Sequence, residues 1–438
     1  MLSRVRTLCA VVVTGLVCLG LAWQGQSSDA PAPGLLPVLQ SAGPRWYRGN
    51  LHTHSLWSDG DDFPEMIADW YKRNGYDFLS LTEHNVLAEG DRWINCPDKG
   101  TAPIALKKYR DRFGAAWVEE RMDKGIRQVR LKPLAEFRSL LEEPGKFLLL
   151  AGEEITHAFA RAPVHMNAIH LREVIKPVDG GSIAETISVN HRLVAEQARK
   201  TGRRLLAFLN HPNFGWAVRA EDLILCDELR FFEVYNGHPS VRNEGDATHP
   251  GCEQLWDIAL ALRLGKHNRS VLYGLATDDS HGYHAWGVGK VNPGRGWIMV
   301  RAAYLSPEAI LRSIEAGDYY CSTGVRLNEV RTVGEEIQLE IHGEPGVRYR
   351  TEFIATLADA NLDSTPRLDA KGNPLPVSRQ YSKDIGIVVA QSEGLSPRYR
   401  RTGKELYVRA RVTSDKPHPN PYRKGDVEMA WTQPVVGR

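Results

Sequence analysis

RGNLHTHSLWSDG, Arg48 to Gly60, places a short strand ahead of two histidines, His52 and His54, and closes on an acidic turn at Asp59. Four later segments repeat the arrangement: DFLSLTEHN (Asp77–Asn85), FLLLAGEEIT (Phe147–Thr156), LLAFLNHP (Leu205–Pro212) and VLYGLATDDSH (Val271–His281). In each, residues rich in Leu, Phe, Ala or Val predict a buried strand, and histidines or carboxylates stand where it ends. A parallel α/β barrel gathers its strand ends on one face, where active sites form. One such cluster is easily chance, but five predict a multinuclear metal site.

Around these segments, strand and helix alternate as far as Thr323, which predicts a mostly parallel α/β fold. Asp61 and Asp62 are expected to cap a helix that ends near Gly75. Ser182–Lys200 and Cys252–Leu264 read as amphipathic helices closed by Gly202 and Gly265. Ser306-Pro307 opens another, with serine as cap and proline in the first turn. The charged insertion 86–144 reads as a solvated helical excursion or as a lid over the metal face. Beyond Val325 helical signals vanish, and short β-rich segments predict an antiparallel sandwich-like domain over 324–438.

The chain has 438 residues, of which 42% are hydrophobic and 25% charged, and a formal net charge of +2. That balance predicts a globular protein without the basic field that holds a nucleic acid backbone. Arg4 and Arg6 precede an apolar run from Leu8 to Trp23, so residues 1–23 read as a signal peptide or N-terminal anchor, followed by a linker over 24–44. The expected destination is the periplasm or the cell exterior, where Cys96, Cys226, Cys252 and Cys321 can pair in three ways.

Taken by themselves, His52 and His54 lie two apart, so an extended chain points both imidazoles to one side. Glu233 ends a sixth apolar strand in FFEVYNG and can orient a ligand histidine, touch substrate or simply pack. His238, Tyr283, His284 and Trp286 lie in loops that can line the pocket, and Arg161, Arg172 and Arg219 are candidates for an anionic group.

The ordered motifs HTHSLWSDG, TEHN, GEE, NHP and DDSH resemble those of the PHP (polymerase and histidinol phosphatase) family across roughly Tyr47 to Thr323. The resemblance implies a distorted (β/α)7 barrel over 45–323 with two or three divalent ions, zinc, manganese or iron, at the strand ends. It implies that His52, His54, Glu154 and Asp279 hold the first ion. Glu154 then bridges to a second, held by His165 and His211, and Asp59, His84 and His281 hold the third. Asp59 stands where some members have histidine. Within GEE the family's Gly-x-Glu pattern selects Glu154 over Glu153, which is left to the barrel wall or to a base. Asp-x-His spacing selects Asp279 over Asp278, which is expected to support a ligand histidine. His165 is preferred to His170.

The resemblance further implies hydrolysis of a small-molecule ester by a water that bridges two cations and loses its proton, with Glu154, Asp279 and His211 catalytic. Phosphoesters come first. Carbamate or carboxylic esters are the alternative, through likeness to a secreted branch with a β-domain. A catalytically silent, secreted metal-binding protein is the reading from another class.

Overall fold

The computed structural model describes residues 43–437, so the expected signal segment and nearly all of the linker lie outside the described residues. Among the described residues, no helix is long and apolar enough to cross a membrane.

Seven strands form the core: β1 (Arg45–Asn50), β2 (Phe78–His84), β3 (Leu148–Phe159), β4 (Ala162–Ile169), β5 (Leu206–Leu209), β6 (Phe231–Asn236) and β7 (Tyr273–Thr277). They neighbour one another in chain order. Pairs β1/β2, β2/β3, β5/β6 and β6/β7 are parallel. Strand β4 runs antiparallel to both β3 and β5, because a tight turn at Ala160 and Arg161, both at positive φ, folds it straight back without a helix. This hairpin is the distortion of the ring. Closure comes just past the strand ends, where Thr53 pairs in parallel with Ser280. There the His54 amide donates to the Ser280 carbonyl (2.9 Å) and the Asp279 amide to the His52 carbonyl (3.0 Å).

The parallel strands are buried on both faces, which is why they read as near-continuous apolar runs. Helices cover the outside with the expected end chemistry. Ser182 Oγ accepts from the Glu185 amide at the start of Ile183–Thr201, and Gly202 closes that helix at φ 66°. Ser306 caps Pro307–Glu315 in the same way. The helix Pro64–Arg73 departs from expectation: Phe63 stands at the cap position, and Asp62 Oδ1 accepts from the Phe63 amide. Neither Asp61 nor Asp62 caps it.

The insertion is helical only in part, with helices Ala102–Phe113 and Leu134–Leu141. Its strands Arg92–Asn95, Ile126–Leu131 and Glu120–Asp123 form a small antiparallel sheet beside the helix Ala102–Phe113. Together they bury Tyr109, Leu106, Val129 and Leu131 against Trp57 and Phe63 of the first motif's loop. The insertion's charges are divided between helix and sheet: Lys107–Arg112 lie on the helix, and Glu120–Asp123 form a strand exposed throughout.

After Pro307–Glu315 the described chain is all β. The strands Trp297–Ala302 and Tyr319–Ser322 extend the sheet antiparallel from β1. Val427–Thr432, Glu405–Pro417, Tyr349–Leu357 and Ile387–Glu393 continue it without a break. A second antiparallel sheet, Leu327–Val333, Glu336–Ile341 and Arg398–Arg400, faces it across Leu339, Phe353, Val408, Ala410 and Val412. The opposite face of the long sheet presents Arg409 to the helix Cys252–Gly265. Arg409 binds Asp257 through Nε (2.8 Å) and Nη2 (2.6 Å) and reaches Glu253 through Nη1 (2.9 Å). The expectation that cysteines pair is not met. All four are buried and free, Cys226 lying against Ser188 Oγ and Cys321 against the Gly274 carbonyl.

The Arg409–Asp257 pair is out of water, so removing Asp257 leaves Arg409 Nε and Nη2 unpaired in the interior, with Glu253 still on Nη1. Asp257→Ala should lower the unfolding free energy by about 3–5 kcal/mol, measured by urea denaturation. A loss below about 1 kcal/mol would place the pair among inert surface bridges.

Candidate metal centre

All nine residues expected as ligands meet at the strand-end rim of the ring. They fall into four overlapping groups whose ligand atoms lie within 4.8 Å of one another: His52/His54/Glu154, His52/His211/Asp279, His84/Glu154/His165 and His54/Asp59/His84/His281.

Within the strands, alternation sends neighbouring side chains to opposite faces, so that one of each two faces the centre. On β3, Glu154 turns inward, whereas Glu153 accepts the Ile175 amide (2.6 Å) in the wall, where burial pushes it up to about 8. At the end of β2, His84 turns inward and Glu83 turns back to accept from the Ser55 hydroxyl (2.6 Å) and from Ser58. Past β7, Asp279 takes a left-handed φ of 47° that aims its carboxylate at His52 and His54. Asp278 does not support a ligand histidine, which corrects that expectation. It points away and accepts from the Tyr71 hydroxyl and the amides of Gly294, Arg295 and Gly296. His170 lies outside the cluster, its Nδ1 bonded to the Arg204 carbonyl.

The distances fit a cation. His52 Nε2 lies 3.2 Å from Asp279 Oδ1 and 3.5 Å from Glu154 Oε2, and His54 Nε2 lies 3.3 Å from each. Ligand atoms about 2.0–2.1 Å from a tetrahedral ion stand about 3.3–3.4 Å apart, so four edges match. Glu154 turns its other oxygen elsewhere: Oε1 lies 3.0 Å from His165 Nδ1 and 3.3 Å from His211 Nε2, and accepts from Asn210 Nδ2 (2.8 Å). One carboxylate thus faces two histidine pairs with two different oxygens, the geometry of a bridge. At the rim, Asp59 Oδ1 lies 3.3 Å from His281 Nε2 and its Oδ2 lies 3.5 Å from His84 Nε2. His84 also sends Nδ1 to 3.0 Å from Glu154 Oε2, so the third group overlaps the first two more than expected.

His52 Nε2, His54 Nε2 and Glu154 Oε2 are buried and have no hydrogen-bond partner. Each such orphan costs about 1–3 kcal/mol, and all three point at one another. The residues therefore fit a positive ion. Without one, they share protons. Burial alone would depress His54, but the adjacent carboxylates of Asp279 and Glu154 carry it up to about 9. Asp59 and Glu154 outweigh burial at His84 and raise it to about 10. Burial opposes the ionised form of Glu154 as well, yet His165 and His52 hold its carboxyl well below the usual range.

Among the residues left open by sequence, Glu233 is resolved as a support. Its Oε1 binds His52 Nδ1 (2.6 Å) and the Thr277 hydroxyl (2.7 Å), while Oε2 accepts from the His211 amide (2.7 Å) and Asn236 Nδ2 (2.8 Å). Such a carboxylate fixes the imidazole's tautomer and orientation. Asn236 and Asn210, which also hold the acidic ligands, were missed, although each stands in a quoted motif. Tyr283 is buried and donates to the His54 carbonyl, and His284 bonds the Asp61 carbonyl, so both brace the loop. Arg219 is paired with Asp222, and Arg161 and Arg172 are exposed and form no bond into the cluster.

No family model matches the chain, and no curated protein matches it. Similar solved structures include these two. One is a two-domain protein from Bacteroides vulgatus that contains a domain described as a PHP-like metal-dependent phosphoesterase. It shares 16% identity over 90% of this chain and 96% of its own, at a TM-score of 0.37. The other, from Bifidobacterium adolescentis, is described as a metal-dependent phosphoesterase, at 14% identity over 55% of this chain and 89% of its own, TM-score 0.27. Overlaps this shallow leave the functional argument to the ligand geometry.

Two outcomes follow for the metal-free protein. A cation must displace the protons that His54 and His84 carry at pH 7, so affinity should rise with pH from 6 towards 9. Calorimetry in buffers of different ionisation enthalpy should register proton release, and equal heats in all buffers would contradict it. Glu233→Gln should weaken cation binding by about 10–100-fold in chelator competition, and unchanged affinity would remove its orienting role.

Proposed function

We propose that the protein is a metal-dependent hydrolase of small-molecule esters, with phosphoesters as its first substrate class. The observation that carries this reading is the split use of Glu154, each oxygen within 3.0–3.5 Å of a different pair of histidines, beside orphaned His52 Nε2 and His54 Nε2. His52, His54, Glu154 and Asp279 would hold one ion, Glu154, His165 and His211 a second, and Asp59, His84 and His281 a third. When bound, divalent cations make water nucleophilic near neutral pH and stabilise negative charge on a phosphoryl or carbonyl oxygen. Zinc, manganese and iron all suit this mixed imidazole and carboxylate set.

The chain's own groups do the rest. Glu154 fixes the spacing of the two inner groups. Glu233 and Thr277 hold His52 in one tautomer, so its Nε2 stays available to a ligand. Asp279, its Oδ2 steadied by Asn236 (3.1 Å) and 3.9 Å from His211 Nε2, is placed to take the proton of the attacking water and pass it to the leaving oxygen. With three ions, the carboxylates of Asp59, Glu154, Asp279 and the supporting Glu233 would carry less charge than the cations, so the fully loaded pocket would favour an anionic ester. The resemblance of the five motifs to the PHP family supports the same class. Export rests on Arg4, Arg6 and the apolar run to Trp23.

Elemental analysis of the mature protein should find about two or three transition-metal ions per chain. With manganese or zinc, para-nitrophenyl phosphate or its bis ester should turn over, and His54→Ala should abolish turnover with the fold intact. Hydrolysis of only para-nitrophenyl acetate or carbamate would replace the phosphoester reading with the acyl one. Metal retention without hydrolysis of any ester would leave a binding protein.

A further inference from the structure

One hydrogen-bond donor beside His281 is outside the ligand network. His238 follows β6, and two bonds fix it. Its amide donates to Asn236 Oδ1 (2.8 Å), the same carboxamide whose Nδ2 donates to Asp279 Oδ2 and Glu233 Oε2. The Ser240 amide donates to His238 Nδ1 (3.1 Å). The ring stands edge-on to His281, centroids 5.5 Å apart and planes at 74°. With the Nδ1 lone pair taken by a backbone N–H, the neutral imidazole carries its proton on Nε2. The ring is half-buried, and Nε2 makes no hydrogen bond among the described residues, yet it is absent from the buried, unpartnered atoms, so solvent reaches it.

We infer that His238 is a substrate-binding residue whose Nε2–H bonds a non-bridging oxygen of the ester as it docks against the His281 side of the cluster. This rests on the hydrolase reading above. The geometry also states what His238 does not do. It has no free lone pair to take a proton from water, so it is a hydrogen-bond donor rather than a general base. Its position is set by the same Asn236 that holds Asp279, so the donor and the proton-carrying carboxylate keep a fixed separation.

The test compares wild type, His238→Ala and His238→Gln, all loaded with manganese. Metal equivalents should be the same in the three. Inorganic phosphate binding, followed by calorimetry, should weaken about 10–100-fold in His238→Ala and recover in part in His238→Gln, whose amide can donate. The kcat/KM for para-nitrophenyl phosphate should fall about 10²–10³-fold in His238→Ala, with both limbs of the pH profile where wild type has them. The inference is overturned if His238→Ala binds phosphate as wild type does, if it loses metal, or if a limb of the profile disappears. A loaded wild type that does not bind phosphate overturns it too. A loaded wild type that binds phosphate without turnover refutes the hydrolase reading, while the binding comparison still decides His238.

Discussion

The centre depends on the closure of the strand ring just beyond β1 and β7. The mutual backbone bonds among His52, His54, Asp279 and Ser280 bring together residues more than 220 positions apart in sequence. They fix the left-handed turn at Asp279, a conformation that costs energy for most side chains and concentrates at functional sites. Neither the histidine pair nor the aspartate makes a centre alone. The closure places them on opposite sides of a space the size of an ion, with Glu154 on the wall between.

Around that space the polar groups are arranged in layers. The inner atoms are bare, and the next layer consists of carboxylates and carboxamides whose hydrogen bonds are nearly complete. Glu233 serves four donors, and Asn236 serves Glu233, Asp279 and His238 at once. A satisfied outer layer beside an unsatisfied inner one is what a preorganised site requires, because the geometry is held before a ligand arrives.

Much of this was legible in the sequence because strand ends carry chemistry in this architecture. Period-two alternation says that His52 and His54 share a side, and the structure agrees. The same alternation puts Glu154 and Glu153 on opposite faces, and the Gly-x-Glu pattern of the resemblance chose between them. Alternation could not foretell that Asp278 would be captured by the amides of Gly294–Gly296, a contact made by a loop with no periodicity to read. The insertion was read only in part, its helix Ala102–Phe113 but not its strands, because short exposed strands and wet helices share a charged composition, and its small core shows only when Trp57 and Phe63 are packed against it. Asn236 and Asn210 escaped notice because carboxamides rarely ligate metals, and their role is visible only through the acids they hold.

The long sheet has a last consequence. Tyr319–Ser322 is hydrogen-bonded on one side to the barrel's sheet and on the other to Val427–Thr432. The C-terminal segment is therefore no pendant module. Cutting the chain after Thr323 would leave a naked strand edge and uncover the apolar side of Cys252–Gly265, an invitation to aggregation. Genetic dissection of this protein meets a seam of main-chain bonds where the sequence marks a change from helical to β-rich segments.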